Sequence, residues 1–267
     1  MLKDITLGQY FPGDTLLHRL DPRTKLILVV VYIAALFVAK WYVSYALVFA
    51  FLALSIAVSG VKLGVIAKGI KPLAIIILIT AVLNLFYTPG RVLVHFWIFT
   101  ITWEGIQSAF FMVARIVMLI AGTFLLTYTT SPIALTDGIE SLLNPLKKLH
   151  VPVHELAMMM SIALRFIPTL IEETDKIMSA QKARGADFET GNLFARAKAL
   201  VPILVPLFIS SFRRADELAV AMECRCYHGG EGRTRLKQLS YRRRDYLALA
   251  AGIALLALVI VLRVLGL

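Results

Sequence analysis

"YLALAAGIALLALVIVLRVL", residues 246–265, decides what kind of fold this chain can have. Its one charge is Arg263. The hydrocarbon core of a bilayer is ~30 Å thick and takes about 20 mostly apolar residues as a single helix, so this stretch has the length and composition of a transmembrane span. Directly ahead of it stand Arg242, Arg243 and Arg244, a basic flank of the kind that marks a cytoplasmic side.

Working outward, four more stretches read as spans: 26–39 and 41–59, a hairpin turned at Lys40, then 73–87, somewhat short, and 105–129. Apolar residues make up 59% of the 267, and the mean hydropathy is +0.78. The predicted class is therefore an all-α, polytopic integral membrane protein with five spans and additional long cytoplasmic helices. Lys and Arg gather before the first span (Arg19, Arg23, Lys25), between the second and third (Lys62, Lys68, Lys71) and before the fifth, whereas Lys40 and the 88–104 loop with Arg91 are basic-poor. That distribution predicts a cytoplasmic N-terminus and an external C-terminus. Much of the net charge of +11 is then topological, leaving a contact with anionic lipid or an acidic partner open and giving no reason to infer a nucleic-acid site. The first span is not read as a removable leader, because charges precede it through Lys25 and no small-residue cleavage pattern follows.

The chain divides on this reading into a membrane domain of four spans (1–130), a cytoplasmic domain of long helices (131–245) and a C-terminal transmembrane helix (246–267). The middle segment holds most of the charged residues and is where function is expected. In "TTSPIALTDGIESLLNPLKKLHVP", Ser131 or Thr130 suits a helix cap and Pro132 the first turn. Two long helices follow, 153–183 around Pro168 and 192–225 around Pro202 and Pro206; apolar helical sequence resumes after each proline, so kinks are expected in place of breaks. Both change character along their length. "LAMMMSIALRFIPTLI" gives way to "EETDKIMSAQKARG", and "ALVPILVPLFISSF" to "RRADELAVAMECRC". Interrupted by Arg165 and the prolines, the apolar halves are expected at the membrane interface, with both arginine-tipped polar ends pointing away from it.

Counting back from the tips, Glu172 and Glu173 lie twelve and eleven residues before Arg184, and Arg213 and Arg214 lie twelve and eleven before Arg225. If the helices cross there, ~18 Å from each tip by helical rise, these four residues form an ion-pair clamp; otherwise they are two solvated charged faces. Met158, Met159 and Met160 are either ordinary core or a soft surface that repacks against partners. Arg184 and Arg225 have two readings as well: cations that satisfy terminal carbonyls and the helix dipole, or a repeated docking device.

Catalytic signals are missing. No Gly-x-x-x-x-Gly-Lys-Ser/Thr run exists, and "HGGEGRT" lacks the lysine of a phosphate loop. "HELAM" at His154 has Met158 where a zinc helix needs its second histidine. Cys224, Cys226 and His228 supply at most three soft ligands, below the four of a structural zinc site, so no metal is assigned. Arg115 is the clear charge near mid-membrane, with Asn84 a polar companion; without acidic company Arg115 is read as structural, reaching a carbonyl or packed in the bundle. A self-contained secondary transporter or channel would need a polar midplane site or broken spans, and a membrane enzyme would need a constellation around its histidines.

"LLHRLDPRTKL", "LLTYTTSPIALTDGIESLLNPLKKL", "MSIALRFIPTLIEETDKIMSAQKARGAD" and "RADELAVAMECRCY" together resemble the transmembrane T component of energy-coupling factor transporters, over essentially the whole chain. The resemblance implies a non-catalytic scaffold of a prokaryotic importer of vitamins or metal ions. It would join two cytoplasmic ABC-type ATPases, which bind ATP and Mg, to one or more small substrate-binding membrane subunits (S subunits). It implies that Ala183-Arg184-Gly185 and Cys224-Arg225-Cys226 dock the ATPases, and that Met158, Met159, Met160, Leu164, Ile203 and Leu207 face the substrate-binding subunit. Ala183-Arg184-Gly185 matches the family triplet; at the second tip cysteine replaces both small neighbours.

Overall fold

The computed structural model describes residues 10–96, 99–186, 188, 192–229 and 238–266. Its helices are α1 (Pro22–Val38), α2 (Tyr42–Ser59), α3 (Leu63–Ile70), α4 (Ala74–Tyr87), α5 (Trp103–Thr129), α6 (Pro132–Leu143), α7 (Val153–Ala183), α8 (Leu193–Glu223) and α9 (Arg243–Leu265). The loop expected at 88–104 contains a short antiparallel hairpin, β1 (Val92–Phe96) and β2 (Phe99–Thr102), with a bulge between Val92 and Val94. Two compact units result, one of Gly8–Ile139 with Leu239–Leu267 and one of Glu140–Gln238.

Among the described residues five helical segments are long and apolar enough to cross a membrane: Tyr42–Ser59, Leu63–Tyr87, Trp103–Thr129, Val153–Ala183 and Arg243–Leu265. Their number matches expectation, but the set does not. α1 is 17 residues long, ~26 Å by helical rise, and falls just short. α7, placed at the interface by the sequence reading, qualifies by length and composition. The third span also lengthens, because Pro72 sits in a single 3-10 turn, Lys71–Leu73, between α3 and α4. Lys68 lies inside that helical run and not in a loop.

In the first unit α1 packs against α2, α5 and α9. Asp21 caps it by accepting from the Arg23 backbone N–H at 2.9 Å, with Pro22 in the first turn. Close approach depends on two glycines. A Cβ on Gly122 of α5 would stand 2.5 Å from the Tyr32 ring, and one on Gly252 of α9 2.5 Å from Leu28. With that space, Tyr32, Leu36, Val48, Met118, Leu255 and Val259 close a continuous apolar core, and the Tyr32 hydroxyl donates to the Met118 carbonyl at 2.9 Å.

Arg115 takes a structural place. Its Nε donates to the Tyr45 hydroxyl at 2.9 Å and its Nη2 to the Ala39 carbonyl at 3.4 Å, so it ties α5 to α2 and to the end of α1. Asn84 donates to the Thr80 carbonyl of its own helix at 2.9 Å. Both polar groups are spent on backbone and packing.

In the second unit α7 and α8, 31 residues each, run through Pro168, Pro202 and Pro206 without interruption. A 3-10 segment, Asn144–Leu149, leads into them from α6, and His154 at the start of α7 holds Glu140 at 2.9 Å. Among the described residues of the two long helices, only Val153, Ala157 and Ile203 are buried apolar side chains. The unit is a pair of packed arms with an apolar surface left over.

Candidate functional site: two arginine tips on crossed arms

The arms touch through a polar cluster. Arg214 Nη2 donates to Glu173 Oε2 at 3.0 Å, and its Nη1 to Thr169 Oγ1 at 3.1 Å. Ser210 Oγ donates to the other Glu173 oxygen, and the Arg214 guanidinium lies 5.7 Å from the Phe166 ring centre. Glu173 and Arg214 are the two residues eleven positions before their tips. The neighbouring members of the expected clamp, Glu172 and Arg213, are both exposed, with no ion pair among the described residues. Helical geometry explains the division: successive residues sit about 100° apart around a helix, so one of each adjacent pair faces the partner arm and the other faces away.

The sense of the crossing corrects one expectation. Thr169 meets Arg214, Glu173 meets Ser210 and Arg214, and Gln181 donates to the Pro202 carbonyl at 3.5 Å. Rising numbers on α7 meet falling numbers on α8, so the arms run in opposite senses. The tips lie on opposite sides of the crossing and do not point the same way. Eleven residues of helix reach ~16 Å, which separates the two tips by roughly 25–35 Å. The Gln181 contact has a local cause: Pro206 has no N–H to give the carbonyl four residues back, so that of Pro202 is open to another donor.

At both tips the chain stops in the same way. The Ala186 N–H donates to the Gln181 carbonyl at 3.0 Å and the Gly185 N–H to that of Lys182 at 3.0 Å. In α8 the Tyr227 N–H donates to Met222 at 3.1 Å and the Cys226 N–H to Glu223 at 2.8 Å. These are two Schellman closures. Each puts the residue after the arginine in the left-handed region, Gly185 at φ +87 and Cys226 at φ +55. Glycine adopts that conformation freely; a side chain there costs ~1–2 kcal/mol. The family-like triplet therefore has a backbone reason for the residue after its arginine, beyond small size. Arg184, Arg225, Ala183, Gly185, Cys224 and Cys226 are all exposed, and both cysteines are free thiols.

Of the expected partner-facing residues, Met159 and Met160 are exposed while Met158, Leu164 and Leu207 are half-buried. Ile203 is 4% exposed and packs within the unit, which corrects its assignment to the surface. Leu204, Phe208 and Phe212, between 57% and 67% exposed, present the apolar surface of α8 instead. An exposed apolar patch of this kind marks a partner or lipid contact.

Sequence reasoning missed a buried polar belt in the first unit. Asp245, 1% exposed, accepts from the Asp21 N–H at 2.8 Å and from the Arg242 N–H at 2.8 Å. Arg23 grips Asp21 through Nε and Nη2, each at 3.0 Å, and stacks 4.1 Å from the Tyr241 ring centre. Burial would raise the Asp21 carboxyl, but hydrogen bonds from the Arg23 side chain and backbone, together with its charge, hold it below the usual value. The available signal was an acid at the third position of α9, a capping-box place, hidden inside an arginine run that reads as topological.

Long apolar helices, a packed bundle and a pair of crossed arms with cationic tips define a multi-pass membrane protein. The model of the family CbiQ, described as cobalt transport protein, matches residues 13–236. The chain is 58% identical to the energy-coupling factor transporter transmembrane protein EcfT of Clostridium kluyveri over 99% of its length and 98% of that relative. It is 56% identical to EcfT of Acidaminococcus fermentans, covering 98% and 97%, and 49% identical to that of Bacillus subtilis, covering 98% and 100%. The chain belongs to the CbiQ family, as a transmembrane T component of energy-coupling factor transporters.

Proposed function

We propose that the chain is the non-catalytic coupling subunit of an ATP-driven importer. Arg184 and Arg225 each enter a groove on one of two cytoplasmic ABC-type ATPases, which hold the ATP and Mg that this chain does not bind. Closure of the ATPases displaces the tips, and the Glu173–Arg214 cluster makes the arms respond together. The apolar surface of Met159, Met160, Leu204 and Phe208 passes the motion to a small substrate-binding membrane subunit, one or several in exchange, for uptake of a vitamin or metal ion. The N-terminus lies in the cytoplasm and the C-terminus outside, a reading that the basic flanks of the spans support.

The observation that carries this reading is the pair of exposed arginines on matching helix closures, held on opposite sides of one crossing. Two tips roughly 25–35 Å apart by helical rise suit two subunits better than one site. A guanidinium offers a rigid fork of five donors that carboxylates and carbonyls of a groove can accept. Co-purification tests the proposal. The wild-type chain brings down two ATPases and a small membrane protein, and Arg184→Glu with Arg225→Glu loses the ATPases while keeping the membrane partner. Retention of the ATPases by that variant, or isolation of the wild type as an active lone transporter, would overturn it.

A further inference from the structure

Beside α1 the first unit forms a half-open cavity of ≈ 220 Å³. Leu28 and Val29 of α1, Phe51 and Val58 of α2, Leu126 of α5 and Ala251 of α9 are among its walls, and Lys25 lines it as well. An apolar space of about 150 Å³ is already large enough to take a small hydrocarbon guest. Lys25 is 6% exposed. Its ammonium donates to the carbonyls of Thr129 at 2.7 Å and His18 at 3.4 Å, and among the described residues no carboxylate lies within ion-pair distance of it. Buried Asp245 acts on it only from beyond that distance, and a buried cation without a close ion pair is under-compensated. The rim residues Leu17 and Leu20 flank Arg19 in the chain, whose guanidinium is half exposed and reaches Asp14 at only 3.4 Å.

We infer that this cavity holds an acyl chain of an anionic phospholipid, with the headgroup drawn to the Lys25 end. Three observations agree on the occupant. The walls are mostly hydrocarbon, the one charged lining residue is a cation with no carboxylate within ion-pair distance among the described residues, and the solvent of this unit is the bilayer. Cationic groups at a membrane surface favour anionic lipids by an amount equivalent to ~5-fold each. The site stands whether or not the arms dock ATPases, since all its walls belong to the bundle unit.

The test uses the full-length chain in bilayers of equal phosphatidylglycerol and phosphatidylcholine, extracted into detergent and weighed by native mass spectrometry. The wild type keeps one phospholipid per chain, enriched ~5-fold in phosphatidylglycerol. Lys25→Gln brings the retained lipid to the bulk ratio. Because Lys25 also ties α1 to α5, Val58→Trp supplies an independent arm: it fills the cavity from the α2 wall, leaves the lysine bonds intact and abolishes retention. Equal retention of the two lipids by the wild type, undiminished retention by Val58→Trp, or recovery of free fatty acid or detergent in place of phospholipid would overturn the inference.

Discussion

The tips at Arg184 and Arg225 share a closure but not a cost. Both end a 31-residue helix with the same pair of backbone hydrogen bonds, and both force the following residue into the left-handed region. In α7 that residue is Gly185, for which the conformation is free. In α8 it is Cys226, which bears the strain. The geometry around the arginine is kept while the side chain that best suits it is not, so what the two arms have in common is the presentation of the guanidinium.

Three perturbations break or sharpen this likeness, and the largest is removal of the guanidiniums themselves. Arg184→Ala and Arg225→Ala should each weaken ATPase binding by at least ~30-fold, the hot-spot range for a buried interface arginine, measured by titrating detergent-solubilised subunits. Unequal losses would show that one tip dominates. Next comes the residue after each arginine. Gly185→Ala should cost ~1–2 kcal/mol locally, seen as ~5- to 30-fold faster amide exchange at residues 185 and 186. Cys226→Gly acts in the opposite direction and slows exchange at 226 and 227; its net gain stays below ~1 kcal/mol, because glycine also loosens the unfolded chain. Equal responses at the two tips would contradict the strain assigned to Cys226.

The crossing responds less. Glu173 and Arg214 are about a quarter and a third exposed, so the pair contributes ~1 kcal/mol at most beyond its neighbours. Glu173→Arg should lower coupled transport, and adding Arg214→Glu should restore part of it; an equal change at Glu172, which faces away, should do little. The smallest effect is a pH dependence in the bundle. The Asp21 carboxyl lies below its ordinary value in the folded chain, so its contribution is complete above the ordinary carboxylate range and fades as pH falls through the lowered value. Asp21→Asn should flatten the stability of the protein between pH 5 and 3, taken as the ordinary carboxylate range and just below it.

How much of this was legible depended on how local the cause was. Span 246–265 could be read because a bilayer imposes a length on apolar sequence, and the arms because two apolar-to-polar gradients ended on arginine. The pairing of Glu173 with Arg214 followed from equal spacing. The choice of Glu173 over Glu172 did not, since either face of a helix can be turned inward until a partner helix settles it. The opposite senses of α7 and α8 are tertiary, and no residue of either helix encodes them alone. Cys226 looked like a departure in size, whereas its consequence is a backbone angle that composition cannot display. Asp245 was hidden by its company, because burial in a polar belt is invisible next to three arginines that satisfy a topology rule.

The central claim is that each tip meets its own ATPase subunit. Site-specific photo-crosslinking from position 184 and, separately, from position 225 in the assembled complex tests it most directly. Both positions should capture an ATPase chain. Crosslinks from only one position, or from both to lipid and the small membrane subunit alone, would contradict the account.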